Sequence, residues 1–249
     1  MSESATEPDR RDLAGTSALI TGGSKGIGYG IAAALVDAGA DVVITARSER
    51  PVAEAAERLA ARGGGRAVGV ACDVRDLDQQ RAAVAEAVRV HGRLDALIAN
   101  AGIGAFASVE ELAPETWRDV IDTNLTGVFY SVKAALEPIR EAAGTIVTIG
   151  SLAGTNFFAG GSAYNASKFG LTGFSQAIML DLRKHGIRVS TIMPGSVASH
   201  FGGHEPSDAD AWKIQPEDVG ALVLMLLRMP GRTLPSKIEV RPTRPPSVR

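Results

Sequence analysis

Short apolar runs alternate along this chain with longer amphipathic stretches, and the alternation persists from about residue 14 to 241. The first run, residues 17–21, reads Ser-Ala-Leu-Ile-Thr and suits a strand buried on both faces. A helix follows, with Ile27, Ile31, Ala34, Leu35 and Ala38 spaced for one buried face. The chain reverses at Gly39, and residues 41–46 form a second strand. The same reading predicts a helix at about 50–62 ended by three glycines, a strand at 68–72, a helix at 78–91 and a strand at 94–99. Next come a long helix over about 114–137, opened by Pro114, a strand at 145–150, a helix over 162–184 and a strand at 187–193. A loop to about 215, a helix at 216–228 and a strand at 237–240 complete the pattern. Such alternation predicts an α/β fold: one parallel sheet covered by helices on both faces.

Candidate chemistry lies at the ends of these strands. Between the first strand and first helix stands Gly22-Gly23-Ser24-Lys25-Gly26-Ile27-Gly28. Strand, glycine turn, helix and strand within some 30 residues form a unit that holds a pyrophosphate at a helix N-terminus. Further along, Tyr164 and Lys168 are four residues apart, hence on one helical face, with Ser151 upstream. An ammonium beside a phenol favours its ionised form, which would make Tyr164 a usable proton donor and acceptor near neutrality. Ser151 follows the apolar run 146–150, at the carboxyl end of a strand, the edge where open α/β sheets bind ligands. Asn124 falls mid-helix, a poor position for asparagine, and predicts a local kink or a water site.

The glycine spacing is T-G-x-x-x-G-x-G, carried by Thr21, Gly22, Gly26 and Gly28. With Asn100-Ala101-Gly102, Asn124, Ser151, Tyr164, Lys168 and Pro194-Gly195 in the same order, the chain resembles the short-chain dehydrogenase/reductase family. The resemblance implies a single doubly wound Rossmann domain over residues 13–241, with seven mainly parallel strands in the order 3-2-1-4-5-6-7. It implies hydride transfer between a nicotinamide cofactor and a carbonyl or secondary alcohol, with Asn124, Ser151, Tyr164 and Lys168 as catalytic tetrad. Ser151 would hold the substrate oxygen, Tyr164 would move the proton, and Lys168 would bind the nicotinamide ribose and lower the pKa of Tyr164. Asn124 would hold a water linking the lysine to solvent. Cofactor contacts are implied for Gly22, Ser24, Lys25, Gly26, Ile27, Gly28, Arg47, Ser48, Asp73, Val74, Asn100, Ala101, Gly102, Tyr164, Lys168, Pro194, Gly195, Val197 and Ser199, with Asp73 at the adenine. The family often has threonine where this chain has Ser199, and a hydroxyl is retained. A homotetramer or homodimer is implied, with the helices around 114–137 and 162–184 pairing across one interface.

The end of the second strand bears on cofactor choice. An NAD enzyme of this kind usually places an acid there for the ribose hydroxyls. Here the position reads Ala46-Arg47-Ser48, and Lys25 adds a second cation at the same edge. A 2′-phosphate calls for positive charge, so NADP(H) is the expected cofactor. Loops after the fourth, fifth and sixth strands offer Ile103, Phe106, Leu152, Phe157, Phe158, Val197 and Phe201. Of these, Leu152, Phe157 and Phe201, with Ser151 and Tyr164, are the chosen substrate contacts, under a lid at about 198–214. They favour a small, partly hydrophobic carbonyl or alcohol.

Composition narrows the alternatives. With 45% hydrophobic and 22% charged residues, 249 residues suit one globular domain. A net charge of −2 without a basic stripe argues against nucleic acid. No run of 18 apolar residues occurs, and residues 1–12 lack the apolar stretch of a signal peptide, so no membrane partner and a cytoplasmic location are expected. Residues 1–12 are expected to be disordered and 242–249 to form a proline-rich tail. The single Cys72 cannot form an internal disulfide. His200 and His204 are spaced i, i+4, but the intervening Gly202-Gly203 opposes a helix, and no metal is expected. Two rival readings remain: a cofactor-binding sensor or scaffold without turnover, and, remotely, a serine hydrolase using Ser24 within Gly22-Gly23-Ser24-Lys25-Gly26 as a nucleophile elbow.

Overall fold

Seven strands pair in parallel in the order β3-β2-β1-β4-β5-β6-β7. They are β1 (Ser17–Thr21), β2 (Asp41–Ala46), β3 (Ala67–Ala71), β4 (Ala96–Ala99), β5 (Thr145–Ile149), β6 (Arg188–Pro194) and β7 (Lys237–Val240) in a computed structural model that describes residues 13–245. The expectations for residues 1–12 and for the end of the tail, 246–249, lie outside the described residues.

Both faces of the sheet are buried, which explains why the strands read as continuous apolar runs. Side chains alternate between faces. Ile20, Ile44, Ile98 and Val147 point into one core, where they meet Ile31 and Leu35 of α1 (Gly26–Asp37), Leu59 of α2 (Glu49–Ala60) and Val223 of α7 (Pro216–Arg228). Leu19, Val43, Leu97 and Ile146 point into the other. There they meet Val84 of α3 (Leu77–His91), Ile139 of α5 (Gly127–Glu141) and Phe174 of α6 (Ser162–Leu182). Helix stops follow local chemistry: Asp76 caps α3 by accepting from the Asp78 and Gln79 amides, and Gly92 ends it in the left-handed conformation.

The long helix expected over 114–137 is divided. Pro114–Ile121 forms α4, Asp122–Thr126 makes a π-turn, and α5 follows directly. The kink expected at Asn124 is this π-turn, and the carbonyl of Gly127 beside it accepts from Gln80 Nε2 at 3.1 Å and Ser131 Oγ at 2.8 Å. β3 begins one residue earlier than expected, leaving Cys72 just beyond it, buried, with its thiol pushed up to about 11 by burial and by Asp73. Among the described residues no helix is long and apolar enough to cross a membrane. Strand order reverses between β1 and β4, and the crevice at their carboxyl ends is where such sheets bind ligands.

Candidate active site

The turn after β1 is stitched to the turn after β4. Thr21 Oγ1 accepts from the amides of Asn100 at 3.0 Å and Ala101 at 3.1 Å. In return Asn100 Nδ2 donates to the carbonyls of Thr21 at 2.8 Å and Gly22 at 3.1 Å. The Asn100 side chain is thus committed to shaping the glycine loop. Glycine is required there: Gly22 has φ +66°, and a Cβ on it would fall 2.9 Å from Ala101 Cα. A Cβ on Gly28 would fall 2.5 Å from Asn100 Nδ2 and collide with the Gly22 carbonyl. Helix α1 opens on this loop with no side-chain cap and no acid in its first turn. Its first N–H groups therefore have no intrahelical partner and carry the positive end of the helix dipole, as a pyrophosphate requires.

Beyond the loop, Lys25, Arg47 and Ser48 line the same cavity. The Lys25 and Arg47 side chains are exposed and make no hydrogen bond or close ion pair among the described residues, although Arg47 acts at longer range on Asp73. Their charges remain available to an anionic phosphate. Asp73 is differently placed: Arg75 Nη2 donates to it at 2.7 Å, Arg75 Nε at 3.1 Å, and the pair holds its carboxyl below the usual range. Any adenine contact by Asp73 shares the carboxylate with Arg75.

The fourfold set expected to do chemistry converges at the ends of β4 and β5. Ser151, extended directly after β5, accepts from the amide of Ala153 at 3.1 Å and lines the same cavity as Tyr164. Tyr164 and Lys168 occupy one face of α6, the ammonium 5.8 Å from the phenol ring centre. Lys168 is buried, and its one hydrogen bond goes to the Ile149 carbonyl at 3.0 Å. Burial lowers the lysine to about 8. It also raises the Tyr164 phenol above its ordinary value, outweighing the opposing effect of Ser151. The net shift is thus opposite to the depression expected from Lys168, whose ammonium lies 5.8 Å from the ring centre and donates to Ile149. Asn124 is fully buried in the π-turn. Its Oδ1 accepts from the Ile103 amide at 2.8 Å, and its Nδ2 donates to the Ile103 carbonyl at 2.9 Å and to Ser167 Oγ at 3.1 Å. It clamps the loop after β4 to α6.

These groups face one cavity of about 950 Å³. Gly22, Ser24, Gly26, Ile27, Val74, Ala101, Gly102, Leu152, Pro194, Gly195, Val197, Ser199 and Phe201 all lie on its wall. Three expected residues do not. Gly28 and Asn124 sit behind the wall, where they shape it, and Phe157 points away from it, 86% exposed, while its neighbour Phe158 takes the wall position. Backbone direction in that loop decides between adjacent phenylalanines, and composition carries no trace of it. Sequence reasoning also missed Arg58, Asn156, Trp212 and Lys213 on the wall. His200 and His204 lie there too, each beside a carboxylate: His204 Nε2 is 2.6 Å from Asp210 and His200 Nε2 is 3.4 Å from Glu205. Asp210 is buried and also pairs with Lys213, and these partners hold its carboxyl far below the usual range. It anchors segment 198–214, which otherwise folds as two short turns, Phe201–Gly203 and Asp208–Asp210, and a bridge between Val197 and Ile214. Ser24 has no histidine partner among the described residues, so a nucleophile elbow lacks its base.

Comparison with known proteins accords with this geometry. Residues 16–210 match the family model described as short chain dehydrogenase. The trans-4-hydroxycyclohexanecarboxylate dehydrogenase of Sinomonas cyclohexanicum is 37% identical over 221 residues, covering 84% of each chain. A metagenomic short-chain oxidoreductase solved in complex with NADP superposes with a TM-score of 0.82 at 35% identity, over 94% of this chain and 99% of that one. Carveol dehydrogenase from Mycobacterium avium, solved in complex with NAD, superposes with a TM-score of 0.83 at 26% identity, over 92% of this chain and 97% of that one. On the extent of that family match, the chain belongs to the short chain dehydrogenases and is a hydride-transferring oxidoreductase.

Proposed function

We propose that this chain interconverts a carbonyl and a secondary alcohol on a small, partly hydrophobic substrate, with NADP(H) as the hydride carrier. The observation that carries the reading is the convergence on one cavity of Ser151, at the carboxyl edge of β5, with Tyr164 and a buried Lys168 one turn apart on α6. Relatives of this fold are solved with either nicotinamide dinucleotide, so the choice of cofactor rests on this chain's own residues. Arg47 and Lys25, with Ala46 rather than an acid at the end of β2, supply positive charge for a 2′-phosphate. Lys168 spends one of its three N–H donors on Ile149, and the other two suit the hydroxyls of a ribose. A nicotinamide held there would supply the hydride for a carbonyl carbon or take it up from an alcohol carbon.

The protein's share is the proton and the oxygen. In reduction, Tyr164 gives its phenolic proton to the substrate oxygen as charge develops on it, and Ser151 donates a hydrogen bond to the same atom. In oxidation the phenolate takes the proton back. Asn124 keeps the loop at Ile103 and the π-turn in register beneath the lysine. Segment 198–214 serves as lid over a domain comprising 13–241. Trp117, Phe129 and Phe169 lie 41%, 44% and 43% exposed on α4, α5 and α6, which supports pairing of these helices with a second copy in a homodimer or homotetramer. The deciding experiment follows NADPH oxidation across a panel of ketones and aldehydes. Stoichiometric NADPH binding with no turnover on the whole panel would replace this reading with that of a cofactor sensor.

A further inference from the structure

We propose that the substrate carries a ring, as a cyclic or aryl ketone or the matching secondary alcohol, and that this ring takes the place the Phe201 side chain fills against Phe106 and Tyr164. The inference rests on the hydride-transfer reading above and names the substrate class of the same site. Tyr164 is only 9% exposed. Its cover is aromatic: Phe106 lies 5.5 Å from it between ring centres at 73°, and Phe201 lies 5.4 Å away at 57°. Phe106 also meets Phe158 at 5.8 Å and Phe201 at 6.4 Å. All four separations fall within the range of favourable aromatic pairs. A substrate that approaches Tyr164 from that side displaces one of the covering rings.

The hydrogen bonds select Phe201. Phe106 and Phe158 sit on loops tied to each other and to α6. The Ala107 amide donates to the Gly160 carbonyl at 2.9 Å, and Asn165 Nδ2 donates to the carbonyls of Ala153 at 2.8 Å and Asn156 at 2.9 Å. Phe201 opens a three-residue turn instead. That turn is closed by a long 3.3 Å bond from the His204 amide, and its Gly202 and Gly203 have φ of +66° and +81°. Gly104 makes room for the ring, since a Cβ there would fall 2.6 Å from Phe201 Cζ and 3.1 Å from Phe106 Cζ. Once Phe201 withdraws, the space left is shaped by a six-membered ring and faced by Phe106 and Tyr164. A substrate ring regains those edge contacts without freezing rotors, whereas an alkyl chain loses rotamer freedom to fill the same volume.

The test compares carbon-matched pairs, cyclohexanone with 2-hexanone and acetophenone with 2-octanone, by kcat/KM at saturating NADPH. For acetophenone, two regained aromatic contacts lead to an expected preference of about tenfold or more; cyclohexanone, which has no π face, should keep a smaller preference from its fewer rotors. Phe106→Leu and Phe158→Leu should lower that ratio, while Phe201→Ala should raise kcat/KM for the ring ketones by removing their internal competitor. NADPH titration of each variant checks that it is folded. A ratio near one in the unmutated protein overturns the ring assignment and leaves hydride transfer standing. Loss of ring-ketone activity in a Phe201→Ala protein that still binds NADPH also overturns it. No turnover of any of the four ketones with NADPH bound overturns both readings together.

Discussion

The Lys168 ammonium donates to the carbonyl oxygen of Ile149, the last residue of β5, at 3.0 Å. This bond fastens α6 to the edge of the sheet at the point where Ser151 emerges. The Tyr164 phenol, raised by burial, shares this face of α6 with the ammonium 5.8 Å from its ring centre. A cofactor ribose lying over Lys168 would draw the ammonium toward the reacting edge, so proton transfer and cofactor binding are coupled through one side chain.

Tyr164→Phe removes the proton carrier and keeps the ring packed against Phe106 and Phe201. Turnover should fall by about 10²- to 10⁴-fold, the usual worth of general acid–base catalysis, with NADPH affinity retained. In the unmutated protein the oxidation direction needs the deprotonated phenol, whose pKa burial raises. The rate of alcohol oxidation should therefore climb as pH rises above neutrality. Wild-type-like turnover in the variant, or a flat pH profile, would count against the role given to Tyr164.

Lys168→Met should separate stability from function. The lysine is lowered from 10.5 to about 8, so at pH 7 its buried charge costs on the order of 3 kcal/mol. The sign follows from proton linkage. Between pH 8 and 10.5 the unfolded chain holds the proton and the folded one does not, so the stability of the native protein rises across that window. Methionine also forfeits the charge-assisted bond to Ile149, worth roughly 1.5–3 kcal/mol, so the two effects largely offset at pH 7. Thermal melts should show the variant's stability relative to the parent falling as pH rises from 8 toward 10, while NADPH binding weakens. A relative stability that does not change between pH 7 and 10 refutes this account of the buried charge.

Arg47→Ala should weaken NADPH by about 10- to 100-fold, since a charge-assisted hydrogen bond contributes roughly 1.5–3 kcal/mol. NADH, which lacks the 2′-phosphate, should change little. Combining Ala46→Asp with Arg47→Ile should invert the preference, because the new carboxylate repels the phosphate and accepts from the ribose hydroxyls. The measure is the ratio of kcat/KM for NADPH over NADH, and an unchanged ratio in Arg47→Ala removes the assignment.

Phe129→Glu places a charge among the exposed apolar residues of α5. If that helix pairs with its copy, light scattering should give a multiple of 25.9 kDa for the unmutated protein and a smaller species for the variant. A 25.9 kDa species for the unmutated protein at micromolar concentration excludes the oligomer.

Much of this molecule was determined by sequence alone. The apolar runs at 17–21, 41–46, 145–149 and 188–193 are strands because both faces of a parallel sheet are buried, and that burial leaves a continuous signature. The glycine spacing and the four-residue step from Tyr164 to Lys168 are local and were readable as such. Asn124 announced its irregularity because asparagine fits a regular helix interior poorly, and a π-turn is what the fold makes of it.

Tertiary structure decided what depends on residues far apart in the chain. Burial beneath Phe106 and Phe201, some 58 and 37 residues from Tyr164, raises the phenol that local spacing alone would have lowered. The Asn100 amide turned out to brace the glycine loop, Asp73 to pair with Arg75 while still facing the cavity, and Phe158 rather than Phe157 to face the cavity. A pKa, a hydrogen-bond partner and the direction of a loop side chain are set by whatever the completed fold brings within a few ångströms. Periodicity records only which face of an element is dry.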